Sequence, residues 1–222
     1  MCGRGVRPDG ARLVEAIVAD HVDDEVRTLP ARHNLAPTDP LGVLWAEGGQ
    51  RRLSVARWGV PRRRGGLAIN ARDDRLRGGV WRSLWSRGRA VVPLVGFYEW
   101  EGPHRQPWYF RRGDDQLLML AALVQHDDVQ RHVTIITTTP SADIAGIHDR
   151  MPAVLEPDMI EPWLLDPGLL DPDPDALASL VRPAPAGTLV RHAVSSRVNN
   201  VRNDGPQLLE PVTPAAVQME LL

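Results

Sequence analysis

VVPLVGFYEW (91–100), PWYFRR (107–112), QLLMLAALV (116–124) and HVTIITTT (132–139) follow one another with only short turn-forming gaps between them. Each is rich in branched aliphatic and aromatic residues, which fit the pleated surface of a sheet, and gaps this short join neighbouring strands antiparallel. Upstream, LGVLWAE (41–47) and RLSVARWGV (52–60) predict two more strands around the Gly48-Gly49 turn. Further out, ARLVEAIVAD (11–20) has apolar residues at helical spacing, and WRSLWSRGR (81–89) predicts a short helix. SADIAGIHDR (141–150) predicts another, capped by Ser141 and ending near His148. Residues 156–186 are rich in proline and acid, with a helical piece at DALASLV (175–181), and predict a surface wrap. RHAVSSRVNN (191–200) reads as a last strand, and an irregular tail is expected from about residue 206. The fold class is therefore α+β: a single compact domain over residues 1–222, with a mostly antiparallel, barrel-like sheet flanked by short helices.

Composition narrows the function. Apolar residues make up 43% and charged residues 24% of the chain, an ordinary globular balance that excludes wholesale disorder. No apolar run approaches the ~18 residues of a membrane span, and no apolar stretch follows the first arginines as a secretory signal requires. A cytoplasmic protein is expected. The single cysteine forbids an internal disulfide, and the seven histidines show no metal-ligand spacing, so neither metal nor cofactor is expected.

All 26 basic residues are arginine, and the chain contains no lysine. Between Arg51 and Arg112 stand fifteen arginines against four acids, a local balance of +11, and the remainder carries −13. The near-neutral total thus hides a basic middle. Either these arginines form one polyanion-binding face, as their bidentate fork suits phosphate, or they spread over several strands and never meet.

The cysteine is Cys2, directly after the initiator Met1. Once Met1 is removed, the terminus is a 1,2-aminothiol. Its amine titrates near ~8 and its thiol near ~8.5, so a useful fraction of the amine is unprotonated at neutrality. Such an amine attacks an aldehyde to give an imine, and the thiol can then add to the imine carbon and close a five-membered thiazolidine. Without lysine, this α-amine is the one primary amine in the chain. By position alone, Cys2 is equally readable as a small apolar residue near a frayed end.

Three other motifs carry groups suited to such chemistry. INAR (69–72) puts Asn70 and Arg72 on one face of an extended segment. GFYEW (96–100) ends an apolar strand with Glu99, where partial burial raises a carboxyl's pKa towards proton transfer. HDRMP (148–152) sets His148 and Arg150 at a helix exit turned by Pro152. Each also has a plain structural reading: a turn cap for Asn70, an arginine partner for Glu99, a satisfied surface histidine for His148.

Taken together, MCGR (1–4), NLAPT (34–38), ARWGVP (56–61), INAR, VVPLVGFYEW, IHDRMPAVL (147–155) and VSSRVNN–DGPQLLEPV (194–212) resemble the SOS-response-associated peptidase family, in the family's order and over nearly the whole chain. The resemblance implies a sensor of abasic sites in single-stranded DNA. It implies removal of Met1 and a thiazolidine crosslink from Cys2 to the sugar aldehyde, with a possible lyase activity and self-reversal. It also implies the site residues. Cys2 is the nucleophile, Asn70 holds the amine or the sugar, and Glu99 and His148 transfer protons. Arg72 grips phosphate, Arg4 and Arg150 add phosphate contacts, Asn34 lines the pocket, and Trp58 stacks on a base. The sequence departs from the family where Gly5 and Val6 follow MCGR in place of an aromatic residue. It departs again where a terse PRRRGG (61–66) follows WGVP.

Two rivals come from other classes. N-terminal-nucleophile amidotransferases also begin Met-Cys-Gly, but they need an oxyanion hole and a glutamine-binding arginine motif, and they leave the basic middle unexplained. A non-covalent single-stranded DNA binding module would make Cys2 incidental and binding indifferent to the lesion. A monomer is expected, because one lesion on one strand needs no symmetry.

Overall fold

The structure is a computed structural model and describes residues 3–103, 105–127, 129–165 and 173–214. Its strands, in chain order, are β1 Gly5–Arg7, β2 His21–Val22, β3 Arg32–Leu35, β4 Pro40–Glu47, β5 Gln50–Trp58, β6 Val60–Pro61, β7 Leu67–Ala68 and β8 Asn70–Arg72. They continue with β9 Arg89–Leu94, β10 Gly96–Glu101, β11 Gln106–Arg112, β12 Leu118–His126, β13 Arg131–Thr138, β14 Met151–Pro152 and β15 Leu189–Ala193. Helices are short: α1 Gly10–Ala16, α2 Asp24–Arg27, α3 Arg82–Arg87, α4 Pro157–Leu164 and α5 Pro174–Leu180. No helix among the described residues is long and apolar enough to cross a membrane.

Strands β5, β4, β9, β12 and β13 pair antiparallel in that order, and β13 then pairs parallel with β5, so the sheet closes on itself. The α+β class and the barrel-like, mostly antiparallel sheet expected from the sequence are what the chain forms. Residues alternate between two buried clusters. Val92, Leu94, Leu120 and Ala122 face the barrel core with Trp58 and Ile135, while Val91, Ala121 and Leu123 face outward under α1, α4 and α5. Because both faces are covered, QLLMLAALV is continuously apolar instead of alternating. The β4–β5 hairpin turns at Gly48 and Gly49, with φ of 60° and 78°, the left-handed pair that matches strand twist.

A second sheet, ordered β15–β11–β10–β1–β3, lies beside the barrel. The stretch VVPLVGFYEW supplies a strand to each: β9 stays in the barrel, Val95 alone makes the corner, and β10 enters the second sheet. The corner is fixed by the Val95 N–H donating to the Val6 carbonyl at 2.8 Å. Gly96 starts the new strand, and a Cβ there would stand 2.3 Å from the Phe110 carbonyl oxygen.

Three local expectations differ from what forms. Residues 141–148 make consecutive turns, because Gly146 at φ 87° breaks the helical run; the buried Ser141 Oγ has no hydrogen-bond partner among the described residues. The last strand ends at Ala193, and Ser196–Asn199 is a single turn in which the Ser195 Oγ accepts from the Arg197 N–H. The stretch from 206, expected to be irregular, is pinned by the buried Leu208 and by a bridge from Pro211 to Val194.

Candidate active site

An open cleft of about 660 Å³ lies on the second sheet, lined by Gly3, Arg4, Glu99, Trp100, Arg105, His148 and Asn199, among others. Strand pairing puts the start of the chain there. Gly5 faces Phe97, and the Tyr98 N–H donates to the Arg4 carbonyl, so the register carried one step further sets Gly3 opposite Glu99. The cleft therefore joins three residues expected at the site, Arg4, Glu99 and His148. Cys2, on which the expected chemistry turns, lies outside the described residues.

Glu99 is 2% exposed, although it sits two residues from the end of β10. Burial pushes its carboxyl up to about 7, and the negative charge of Asp149 adds to the rise. His148 moves the other way, held below the usual histidine range chiefly by its own burial. Its Nδ1 has two neighbours, the Arg150 backbone N–H at 3.0 Å and the Asp149 carboxylate at 2.8 Å. Only a protonated Nδ1 can serve the carboxylate, which is 86% exposed and weakly paired. With the ring neutral, we assign Nδ1 as acceptor of the Arg150 N–H, leaving the proton on Nε2.

The residues around His148 are latched to the barrel. Asp73 follows β8 directly, and its two carboxylate oxygens accept from the Arg150 guanidinium at 2.7 Å and the Thr138 hydroxyl at 2.7 Å. Arg150 also donates to the Thr137 carbonyl. Thr137 pairs with Arg72 on one side and with Pro152 on the other, so the end of β13 carries β8 and the His148 segment on its two flanks.

The structure places several of the expected DNA contacts in buried or bonded positions. Arg150 is 6% exposed and its guanidinium is bonded to Asp73, so the structure shows it as a latch. Trp58 is fully buried in the barrel core, its Nε1 donating to the Ile69 carbonyl at 3.0 Å, and it has no face for a base. Asn34 is fully buried too. Its Nδ2 donates to the carbonyls of Val198, Asn200 and Asn203 at 3.0–3.1 Å, and its Oδ1 accepts from Arg4 at 2.7 Å. Arg4 adds bonds to the Val198 and Asn199 carbonyls, so Arg4 and Asn34 together tie a late strap, residues 198–203, across β1. Asn70 and Arg72 point to one side of β8 as expected, outside the lining of the cleft. Arg72 stays exposed, held by Asp74 through bonds of 2.8 and 3.0 Å.

Three lining residues were not among those singled out from sequence. Trp100 supplies the aromatic face that Trp58 cannot; its Nε1 donates to the Asn199 Oδ1 at 2.7 Å, and the Arg4 and Arg105 guanidinium groups each lie 5.9 Å from its ring. Arg105 stands exposed on the β10–β11 turn with no acidic partner among the described residues. The adjacent positions of Trp100 and Glu99 were the available signal for Trp100. Arg105 and Asn199 had none, because only the fold brings their segments together.

Part of the basic middle is paired with acids of the chain. Arg51 pairs with Glu161, Arg52 with Glu47, Arg77 with Asp175 at 2.6 Å, Arg111 with Asp115 and Arg112 with Glu156. Arg89 is buried and donates to the carbonyls of Trp85, Ser86, Trp163 and Leu165, closing the ends of α3 and α4. Among the described residues, no group of three or more His, Cys, Asp and Glu side chains converges to hold a metal ion.

The chain is similar to known proteins in sequence and in fold. Residues 1–201 match the family described as SOS response associated peptidase (SRAP). The chain is 28% identical to the abasic site processing protein YedK of Escherichia coli over 96% of its own length and 100% of that protein's. It is 30% identical to the abasic site processing protein YoqW of Bacillus subtilis, over 95% of this chain and 99% of that one. A crystal structure of a protein from Bacteroides thetaiotaomicron shares the fold with a TM-score of 0.77 at 18% identity, covering 96% of this chain and 100% of the other.

Proposed function

The chain belongs to the SOS response associated peptidase (SRAP) family, and from that premise we propose that it processes abasic sites in single-stranded DNA by forming a covalent crosslink through Cys2. The observation that carries the reading is the register that sets Gly3 opposite the buried Glu99, in one cleft with His148.

The chemistry begins when water hydrolyses the Met1–Cys2 peptide bond and frees the Cys2 α-amine. The amine adds to the C1′ aldehyde of the ring-opened abasic sugar, and the carbinolamine loses water to become an imine. The thiol then adds to the imine carbon while its proton passes to nitrogen, closing a thiazolidine; the net loss is one water. A carboxyl near 7 suits Glu99 to both halves of this sequence, taking a proton from the attacking amine and returning it to the departing hydroxyl. The neutral His148, with its proton on Nε2, is suited to donate to a sugar oxygen. If the imine loses the proton at C2′ before the thiol closes on it, β-elimination cleaves the strand 3′ to the lesion. Lyase activity therefore competes with ring closure. Arg72 and Arg105 are the exposed cations suited to hold the flanking phosphates, and Trp100 is suited to stack on a base beside the lesion.

The test is the intact mass of the protein before and after incubation with a single-stranded oligonucleotide bearing one abasic site. The expected result is a starting mass lacking Met1, then a denaturation-resistant species equal to protein plus DNA less one water. A protein that lacks Met1 yet forms no such species sinks the reading. Cys2→Ser is expected to keep the borohydride-trappable imine and lose the heat-stable adduct. Full retention of that adduct removes the thiol from the mechanism.

A further inference from the structure

A second hollow, of about 730 Å³, opens between the β6–β7 hairpin and the turn before α3. It is distant from the cleft. Gln125, on its wall, pairs with His132 near the start of β13, whereas the latched His148 segment sits against Thr137 and Thr138 at the other end. Six residues of strand at ~3.3 Å each separate the two by about 20 Å.

Its floor is mainly aliphatic: Val60, Ala68, Val80 and Leu84, with Trp81. Val80 is 77% exposed, a large apolar side chain left open to water. The rim is Arg62, Arg63 and Arg64, all exposed. These three have no acidic partner among the described residues, whereas six of the other arginines of the basic middle do. The hairpin that carries them is held in shape. The Arg62 N–H donates to the Gly66 carbonyl and the Gly65 N–H to the Arg62 carbonyl, with Gly65 and Gly66 at φ 86° and 77°. Uncompensated positive charge is thus preorganised around an apolar hollow.

We propose that this hollow is a docking site for an acidic peptide segment that carries bulky apolar side chains. The apolar side chains fill the floor, and the carboxylates take the arginine forks bidentately. A nucleic-acid strand would use the same cations, but it binds by stacking bases on aromatic faces, and this floor offers one half-buried tryptophan among branched aliphatics. An inserted aliphatic side chain matches the floor better than a base does.

The experiment is fluorescence anisotropy of the full chain with a labelled octapeptide of five acidic residues followed by Leu-Ile-Leu. The comparators are the same peptide ending in three serines and a lesion-free ten-nucleotide single strand. Saturable binding of the apolar-ended peptide is expected. Reversing the rim (Arg62→Glu, Arg63→Glu, Arg64→Glu together) weakens it about tenfold, and Val80→Glu, at an exposed position that leaves folding intact, weakens it about fivefold. Three outcomes overturn the proposal: no saturable binding, equal binding of the serine-ended peptide, or displacement of the peptide by the oligonucleotide with matching sensitivity to the variants. The last would make the hollow part of a nucleic-acid track. None of these outcomes touches the Cys2 crosslink, which is read separately by mass.

Discussion

Glu99 is held where a charged carboxylate is costly, and that cost has a measurable sign. Its carboxyl titrates at 4.5 when unfolded and at about 7 when folded. Between those pH values the folded chain keeps a proton that the unfolded chain has released, so stability declines as pH rises through the window. Glu99→Gln has no charge to bury. Urea unfolding at pH 8 is expected to show it about 1–3 kcal/mol more stable than the parent, with the difference gone at pH 4. The same substitution is expected to slow crosslink formation about 100-fold while lesion-free DNA binding stays within about twofold. Equal losses in rate and binding would demote Glu99 to a structural role. Arg105→Ala makes the complementary case: crosslinking at saturating DNA is unchanged, and the salt dependence of binding flattens by about 0.7, one phosphate contact.

At the scale of elements, the latch around Asp73 decides where His148 stands. Asp73→Asn leaves the buried Arg150 cation without its counter-charge, a loss of about 3 kcal/mol that lowers the melting temperature by about 6–12 °C. Because Arg150 supplies the N–H that His148 accepts, the histidine pKa read by NMR is expected to move as well; an unmoved titration would confine Asp73 to stability alone. The sequence pattern disclosed these elements unevenly. Strands β4, β5, β9 and β12 were legible because local apolar runs specify them, and Glu99 and His148 were legible through family motifs. The corner at Val95 was not, since a run apolar on both sides of it reads as one strand and only pairing partners show that it serves two sheets. The burial of Trp58 and Asn34 was not legible for a related reason. An aromatic or an amide beside a motif looks like a ligand contact until long-range packing, here the barrel core and the 198–203 strap, shows that it is buried.

Over the whole molecule, the +11 of the basic middle is answered in part by acids from elsewhere in the chain. Eleven free charges on single-stranded DNA would give a salt slope near about −8, whereas the few exposed cations near the cleft predict about −2 to −3. A titration of binding against salt concentration distinguishes the two. The cleft itself is assembled from both early and late segments: Gly3 and Arg4 form one wall, and Asn199, on the strap that Arg4 and Asn34 fasten, forms another. A ribosome has therefore made the N-terminal residues long before it makes the wall that confines them. Until then Gly3 and Arg4 stand without the Asn199 side of the cleft. The cleft is therefore complete only once the strap at residues 198–203 has docked on Arg4 and Asn34.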